Sequence, residues 1–248
     1  AAPTGEGKTT TLYSILDYLN KPEINITTVE DPVEIRVPGI NQIEVDAKAT
    51  FAQSLRTILR QDPDIILLGE IRDLETAEIA LQAGQTGHYV LSTIHTINAV
   101  EVVTRLRKMG ISDYDISSTL ATSISQRLVR RVCPHCAVKR LFDEDEKKLL
   151  NKLISKYEPE IDFKDKYTYD IKGCKECNYT GFQGRIACFE ILEITEPIRE
   201  LISNGQSSLK IRDEALKEGY RPLFVDAVNK VVNGVTTIDE INKKLALF

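Results

Sequence analysis

The first ten residues contain a pattern that is typical of phosphate-binding loops. Residues 2–9 read Ala-Pro-Thr-Gly-Glu-Gly-Lys-Thr, with Ala2 at the position of the usual first glycine. Glycines let successive backbone N–H groups turn toward an anion, and the helix that follows directs its positive dipole end to the same place. In this pattern Lys8 reaches the β- and γ-phosphates of a nucleotide, and the hydroxyl of Thr9 binds Mg²⁺.

The loop predicts that the chain binds ATP together with Mg²⁺. The predicted nucleotide-binding residues are Thr4, Gly5, Glu6, Gly7, Lys8, Thr9 and Thr10. The alternative is a chance glycine turn before an ordinary helix, which the length of the match disfavours. The alanine at position 2 is a mild change if that position needs no positive φ.

Three helices are predicted in the first half of the chain. Apolar residues from Leu12 to Leu19 follow the spacing i, i+3, i+4 and i+7 directly after the loop. Thr50–Gln53 is a capping box that opens a second helix. Asp73 caps a third helix, which extends to about Ala83.

Apolar runs between these helices predict strands. Ile24–Val29 is rich in β-branched residues, and Ile65–Leu68 is a continuous apolar run, as expected of a parallel strand buried on both faces. His88–Ser92 is predicted to be another buried strand. The alternation of strands and helices predicts an α/β fold with a mostly parallel sheet and helices on both faces.

Polar residues follow the carboxyl end of each predicted strand. Glu30 and Glu34 follow the first strand, Glu70 follows the second, and His95 follows the third. Because open parallel sheets bind ligands beyond these ends, we expect the side chains to meet the phosphate loop at one edge. Phosphoryl transfer needs Mg²⁺ and a group that orients the attacking water, and carboxylates at this edge can supply both.

We interpret Glu70 as the residue that polarises the attacking water; a solvated carboxylate after a strand is the alternative. Glu34 and Glu30 are candidates for holding Mg²⁺ through its waters, although acidic residues near proline often only shape a turn. His95 is a candidate contact of the γ-phosphate, and a hydrogen-bonded structural histidine is the alternative.

Two arginines, Arg56 and Arg60, lie one turn apart on the capped helix, opposite its apolar face. They have two interpretations. They form a solvated helix face, or they are cations directed at the phosphates bound to a neighbouring subunit. The residues by themselves leave both interpretations open.

Four of the five cysteines form two C-x-x-C pairs. The pairs are Cys133 with Cys136 and Cys174 with Cys177. Each pair presents two thiolates to one ion, so together they predict a tetrahedral zinc site. Sulfur in every position leaves no place for water, which indicates structural rather than catalytic zinc; pairing into disulfides is the alternative. Cys188 alternates with apolar neighbours and is predicted to be a core residue.

The pattern of the chain changes after about Ser112. Apolar residues at positions 116, 120, 124 and 128 predict a long amphipathic helix that leads into the first cysteine pair. Gly184–Ile194 resembles a strand, and three helical segments are predicted from there to Phe248.

This change of pattern predicts three parts within the 248 residues. We expect a nucleotide-binding core of residues 1–130, a zinc subdomain of residues 131–183 and a mainly helical subdomain of residues 184–248. The length allows one large or two small domains, and 42% hydrophobic residues are enough to form their cores.

The motifs match one known family in order and wording. Val29–Glu34 (VEDPVE) resembles its Asp box, Leu55–Asp73 (LRTILRQDPDIILLGEIRD) its Walker B region and Thr86–Thr96 (TGHYVLSTIHT) its His box. The segments RLVRRVCPHC and GCKECNYTGFQGR resemble its tetracysteine element. Over nearly its whole length the chain therefore resembles the motor domain of the ATPases of type II secretion and type IV pilus assembly.

The resemblance implies a RecA-like P-loop ATPase that works as a homohexamer with ATP bound between subunits. It implies that Glu70 is the catalytic glutamate, that Glu34 is associated with Mg²⁺ and that His95 is linked to the γ-phosphate. By the same resemblance, Arg56 and Arg60 belong to the edge of the active site. A strand and an arginine-bearing N-terminal domain are expected upstream of the loop.

The resemblance also implies where such a motor works. It is expected in the cytoplasm, peripheral to the inner membrane, where it acts on a membrane platform protein to assemble a pilus or to secrete protein. Pilus retraction is the near alternative, and the tetracysteine element argues against it because retraction members lack that element.

A nucleic-acid motor is the alternative from a different class, because RecA-like sheets also serve helicases. The net charge of −5, the lack of a basic stripe and the few aromatic residues argue against nucleic acid as a partner. No apolar run approaches the roughly 20 residues required to span a bilayer.

Overall fold

A computed structural model describes residues 1–46 and 50–247 of the chain. The elements run in the order α1 (Lys8–Leu19), β1 (Ile26–Glu30), β2 (Asn41–Glu44), α2 (Phe51–Ile58), β3 (Ile65–Leu68), α3 (Leu74–Gln85), β4 (Tyr89–Ser92), α4 (Glu101–Met109), α5 (Asp113–Thr119), β5 (Thr122–Val132), β6 (Val138–Arg140), α6 (Glu144–Ile154), β7 (Thr168–Asp170), a 3-10 helix (Lys175–Cys177), β8 (Phe182–Glu193), α7 (Glu196–Ser203), α8 (Ser208–Lys217), α9 (Leu223–Val232) and α10 (Ile238–Leu245).

Two compact units are formed within the described residues. The first contains Ala1–Ile124 and Leu192–Lys217, and the second contains Ser125–Ile191 and Glu218–Phe248. The three-part division expected from the sequence stays a prediction. Phe248, the end of the last predicted helical segment, lies outside the described residues.

The first unit is built on a parallel sheet in which the described strands follow the order β2-β1-β3-β4. Thr28 of β1 lies opposite Gln42 of β2 and Leu67 of β3, and Leu67 lies opposite Leu91 of β4. Because these strands run in one direction, their carboxyl ends share one edge of the sheet. The predicted parallel sheet is confirmed.

Helices cover both faces of this sheet. On one face, Val29 and Leu68 pack in a buried cluster with Leu55 of α2 and Ile79 of α3. On the other face, Leu16 of α1 packs with residues of β1 and β3, among them Ile26 and Leu67. The alternation of side chains along each strand therefore provides two apolar layers, as the α/β prediction requires.

The predicted helix starts are confirmed in the first unit. The Thr50 hydroxyl accepts a hydrogen bond from the N–H of Gln53 at 3.3 Å, and the Gln53 side chain accepts one from the N–H of Thr50 at 3.1 Å. The Asp73 carboxylate accepts from the N–H of Thr76 at 2.8 Å and caps α3. These two caps determine where α2 and α3 begin beside the sheet edge.

Strand β4 is less buried than predicted. It is at the end of the strand order, and Tyr89 is 56% exposed. Within the part of the chain that the structure describes, β4 pairs with β3 on one side only, which explains its exposure.

The prediction of a long helix through position 128 is wrong. Helix α5 ends at Thr119, and Thr122–Val132 forms β5, which pairs with β8. Main-chain hydrogen bonds from Cys133 N–H to Gly181 O and from Ile194 N–H to Ala121 O show that the two strands run in opposite directions. Apolar residues spaced four apart share one face of a helix, but in a strand they also share one face, because four is an even number of positions.

The second unit has its own apolar core. Cys188 of β8 is buried there with residues of α6, α9 and α10, including Leu150, Val228 and Ile241. The core position predicted for Cys188 is confirmed.

In the described part of the chain, four helices follow β8, where the sequence predicts three helical segments. No helix among the described residues is both long and apolar enough to cross a bilayer.

The buried face of α2 predicts the effect of removing a core side chain. We expect Leu55→Ala to lower the free energy of unfolding by about 2–5 kcal/mol, because Leu55 is fully buried. The control Thr57→Ala, at an exposed position of the same helix, should change it by less than about 0.5 kcal/mol. Urea denaturation measures both values, and equal losses would contradict this assignment of the faces.

Candidate functional site

The phosphate loop enters α1 through two glycines with left-handed backbone. Gly5 has φ 80° and Gly7, the N-cap of α1, has φ 81°. Such angles are unfavourable for residues with a Cβ atom, which explains glycine at both positions. Among the described residues no side chain caps the start of α1, so its first N–H groups point toward the loop. This arrangement suits an anion.

Lys8 lies across the loop that precedes it. Its ammonium donates to the carbonyl oxygens of Ala2 at 2.8 Å and Pro3 at 3.1 Å. Ala2 is fully buried, so the residue in the first glycine position packs inside the protein. The lysine is thereby held at the loop where the sequence predicts phosphate binding.

Thr9 and Glu34 meet at the carboxyl edge of the sheet. The Thr9 hydroxyl donates to Glu34 Oε1 at 3.2 Å, although the two residues are 25 positions apart in the chain. A hydroxyl and a carboxylate oxygen are ligands that Mg²⁺ accepts, directly or through its waters. The structure therefore brings together the two residues predicted to bind the metal.

Glu70 lies in a second cluster at the same edge. One of its carboxylate oxygens pairs with the guanidinium of Arg72, and Oε2 lies 3.5 Å from Nε2 of His95. Arg72 also lies 3.8 Å from the carboxylate of Asp31. The hydrogen bond from Arg72, opposed by desolvation and aided by the charge of His95, holds the pKa of Glu70 below its ordinary value.

Glu30 has a different environment from Glu34. Its side chain is buried, and its carboxylate accepts hydrogen bonds from the hydroxyls of Tyr13 and Thr28, each at 2.5 Å, and from Nε2 of Gln42 at 3.2 Å. Burial, and next to it the hydrogen bond to Glu30, raises the pKa of Tyr13 to about 12. Glu30 thus anchors an internal network, and Glu34 is the carboxylate that faces Thr9.

The two arginines of the predicted helix face lie outside these clusters, and Arg60 also lies outside the helix, because α2 ends at Ile58. Arg56 pairs with Glu75 at 2.8 Å, and both side chains are more than half exposed. Arg60 is also exposed. An exposed ion pair holds an arginine only weakly, so this geometry leaves both interpretations of Arg56 and Arg60 open.

The sequence reasoning assigned no role to Arg72, Tyr13 or Gln42. Arg72 follows Glu70 by two residues, a spacing that in an extended segment places both side chains on one side and could have indicated their contact. Tyr13 lies one helical turn after Thr9, but its contact is with Glu30 of β1, which the spacing does not indicate. Gln42 lies on a short strand after an irregular loop, and nothing in the local pattern points to its contacts.

The second unit contains the four cysteines of the predicted zinc site. The Sγ–Sγ distances are 3.9 Å for Cys133–Cys174, 3.8 Å for Cys136–Cys177 and 3.8 Å for Cys174–Cys177. A tetrahedral zinc with Zn–S bonds of about 2.3 Å places its sulfurs about 3.8 Å apart. A disulfide needs about 2.05 Å between its sulfurs. The residues fit a metal ion, and the disulfide alternative does not fit them.

The backbone around the second cysteine pair is shaped for this cluster. The N–H groups of Cys174 and Gly181 donate to Sγ of Cys177, each at 3.2 Å. Gly181 has φ 75°, and a Cβ atom there would lie 1.8 Å from the Ile171 side chain, so only glycine fits. Hydrogen bonds of this kind stabilise a thiolate, the form that binds metal.

Comparisons with known proteins find a family and relatives that match nearly the whole chain. The family described as Type II/IV secretion system protein matches residues 1–243 of this chain. A type IV pilus assembly ATPase PilB from Acinetobacter baylyi is 45% identical over 244 residues, or 97% of this chain and 41% of that protein. A type II secretion system ATPase E from Vibrio cholerae is 45% identical over 243 residues, or 96% of this chain and 46% of that protein.

A solved structure is also similar over nearly the whole of this chain. The crystal structure of the pilus retraction motor PilT with bound ADP matches with a TM-score of 0.70 and 27% identity, covering 98% of this chain and 59% of that one. This chain spans less than half of the length of the two relatives named above.

The ion pair at Glu70 predicts a titration that depends on Arg72. We expect Arg72→Leu to raise the pKa of Glu70, because the largest cause of its low value is the hydrogen bond from Arg72. The pKa is lower in the folded chain than the ordinary 4.5, so the ionised carboxylate stabilises the fold above about pH 4.5. That contribution is lost as the pH falls below this value.

Carboxyl-carbon NMR of glutamate-labelled protein measures this pKa, with the Glu70 resonance identified by its absence from Glu70→Gln. Arg72→Lys keeps the positive charge and should shift the titration less than Arg72→Leu. A Glu70 titration that is the same in wild type and Arg72→Leu would show that the ion pair does not form in solution.

Proposed function

The chain belongs to the Type II/IV secretion system protein family, and we propose that it binds Mg²⁺-ATP at the phosphate loop and hydrolyses it to drive pilus assembly or protein secretion. The observation that carries the proposal is the meeting of two clusters at one sheet edge. Thr9 faces Glu34 there, and Glu70 lies beside His95. A metal site and a water-polarising carboxylate are the parts that ATP hydrolysis requires.

The residues present divide the chemistry between them. The N–H groups at the start of α1 and the ammonium of Lys8 bind the phosphates. Thr9 and Glu34 would hold Mg²⁺, which would supply positive charge to the phosphates. Glu70, whose pKa lies below its ordinary value, is ionised at neutral pH and orients the attacking water by accepting a hydrogen bond from it. His95, next to Glu70, contacts the γ-phosphate.

The partners follow from the family. We propose that the whole protein is a homohexamer with ATP bound between subunits, so that Arg56 and Arg60 reach the site of a neighbouring subunit. It acts on a platform protein of the inner membrane from the cytoplasmic side. Relatives named for pilus assembly or secretion are 45% identical to this chain, whereas the retraction motor is 27% identical. This difference and the tetracysteine element favour assembly or secretion.

Zinc is proposed as the resident metal of the cysteine cluster. The Sγ atoms of Cys133, Cys136, Cys174 and Cys177 all lie within 4.8 Å of one another. Bound there, the ion joins the end of β5 to the turn before β8 and so stabilises the second unit.

The proposed role of Glu70 predicts the loss of hydrolysis without loss of binding. We expect Glu70→Gln to lower kcat at least 100-fold, because an amide polarises water less than a carboxylate does, while the Kd for ATP changes less than twofold. Hydrolysis measured against protein concentration should show rising specific activity, since the site lies between subunits.

The matched control for this substitution is Glu78→Gln, at an exposed position of α3, which should hydrolyse ATP like the wild type. Equal rates for Glu70→Gln and wild type would refute the role of Glu70. A specific activity that does not depend on concentration would refute the inter-subunit site.

The zinc site predicts about one zinc per chain by elemental analysis. Cys174→Ser should lose the metal and lower the thermal midpoint of the second unit, while the Kd for ATP is unchanged because the loop lies in the first unit. Cys188→Ala serves as the control, since Cys188 lies in the core and should leave zinc content at one. Metal-free protein with intact free thiols would refute the site.

A further inference from the structure

We propose that Gln42 and Glu44 of β2 are positioning residues that hold the backbone on both sides of Glu34, so that its carboxylate meets Thr9. This inference rests on the proposed function, because it concerns the same metal-binding pair. Three contacts carry it, and all run from side chains of β2 to main-chain atoms of the loop after β1.

The contacts alternate along the loop. Glu44 Oε2 accepts a hydrogen bond from the N–H of Val33 at 3.1 Å. Gln42 donates from Nε2 to the carbonyl oxygen of Ile35 at 2.9 Å and accepts at Oε1 from the N–H of Val37 at 2.7 Å. The main chain is therefore hydrogen-bonded to β2 side chains on both sides of Glu34, at Val33 and at Ile35.

This alternation follows from the geometry of a strand. Gln42 and Glu44 are two residues apart in β2, so their side chains leave the same face. Residues 31–40 belong to neither helix nor strand, and their main-chain groups lack the partners that a sheet would provide. The β2 side chains supply these partners, and the Glu34 side chain is left to reach Thr9 at 3.2 Å.

Gln42 also connects the loop to the phosphate-binding helix. Its Nε2 donates to Glu30 Oε1 at 3.2 Å, and Glu30 Oε2 accepts from the Tyr13 hydroxyl at 2.5 Å. Tyr13 lies one turn after Thr9 in α1. The loop that bears Glu34 and the helix that bears Thr9 are thus anchored on one buried carboxylate.

Only a primary amide makes this set of contacts at position 42. It combines a two-hydrogen donor with an acceptor on one group. Methionine has a similar length and neither strong donor nor strong acceptor. Glutamate would lose the donor and place a second carboxylate beside Glu30.

The test compares Gln42→Met with Asn41→Met, the neighbouring position on β2. The Asn41 side chain donates to Asn25 Oδ1 at 3.3 Å, and among the described residues it makes no hydrogen bond with the loop after β1. A fluorescent ATP analogue is titrated in EDTA and at increasing Mg²⁺. We expect equal affinities in EDTA within twofold, because the phosphate loop is unchanged.

The Mg²⁺ dependence should separate the two variants. Mg²⁺ is expected to increase the affinity for the ATP analogue. The Mg²⁺ concentration that produces half of this increase should rise at least fivefold in Gln42→Met and stay within twofold of wild type in Asn41→Met. In hydrolysis, kcat of Gln42→Met should fall about tenfold, which corresponds to about 1.4 kcal/mol. Glu44→Leu should raise the Mg²⁺ requirement more than Glu44→Gln, which retains an acceptor for the N–H of Val33.

The outcomes distinguish this inference from the proposed function. A Gln42→Met variant with the Mg²⁺ dependence of wild type overturns the positioning role and leaves the proposed function intact. Loss of affinity in EDTA together with a lower thermal midpoint also overturns it, because the role would then be only structural. If the wild type binds nucleotide without hydrolysing it, the proposed function fails, and the Mg²⁺ titration still decides the inference. A wild type that binds no nucleotide overturns both.

Discussion

The single direction of the strands in the first unit is the constraint on which the candidate site depends. In a parallel sheet each return connection must cross a face of the sheet, usually as a helix, so all carboxyl ends are left at one edge. Thr9 meets Glu34, and Glu70 meets His95, although 25 residues separate the members of each pair. With both faces covered by helices, this edge is where polar side chains of distant segments can meet without burial.

A buried carboxylate, Glu30, connects the elements next to that edge. Glu30 is only 4% exposed, and an ionised carboxylate in such a place is unfavourable unless donors surround it. Its donors come from α1, from β1 and from β2, namely Tyr13, Thr28 and Gln42. Satisfying one carboxylate therefore ties together three elements, and the two residues proposed to bind the metal lie on one of them, α1, and on the loop that joins the other two. The Tyr13 hydroxyl, with its pKa raised to about 12, is protonated at neutral pH and so acts as one of these donors.

Much of this arrangement could be predicted from the sequence, because it depends on local patterns. The glycine loop, the caps at Thr50 and Asp73 and the apolar run of β3 each specify their own conformation within a few residues. The wrong prediction of a helix in place of β5 arose because a four-residue spacing fits both the period of a helix and that of a strand. Pairing with β8 decides for the strand. Gln42 could not be found for a related reason, since its contacts join segments that only the fold brings together.

The polar groups of the candidate site are already paired within the chain, and this bears on how the proposed ATPase can release its product. Lys8 donates to two loop carbonyls, Thr9 donates to Glu34, and Glu70 pairs with Arg72. Phosphates and Mg²⁺ offer these groups stronger, charge-assisted partners, so binding replaces each contact with a better one. Without nucleotide, each of these groups has a partner within the chain. Under the proposed function, such a site can be emptied and refilled repeatedly, because the chain's own backbone and side chains compete with ATP and Mg²⁺ for these groups.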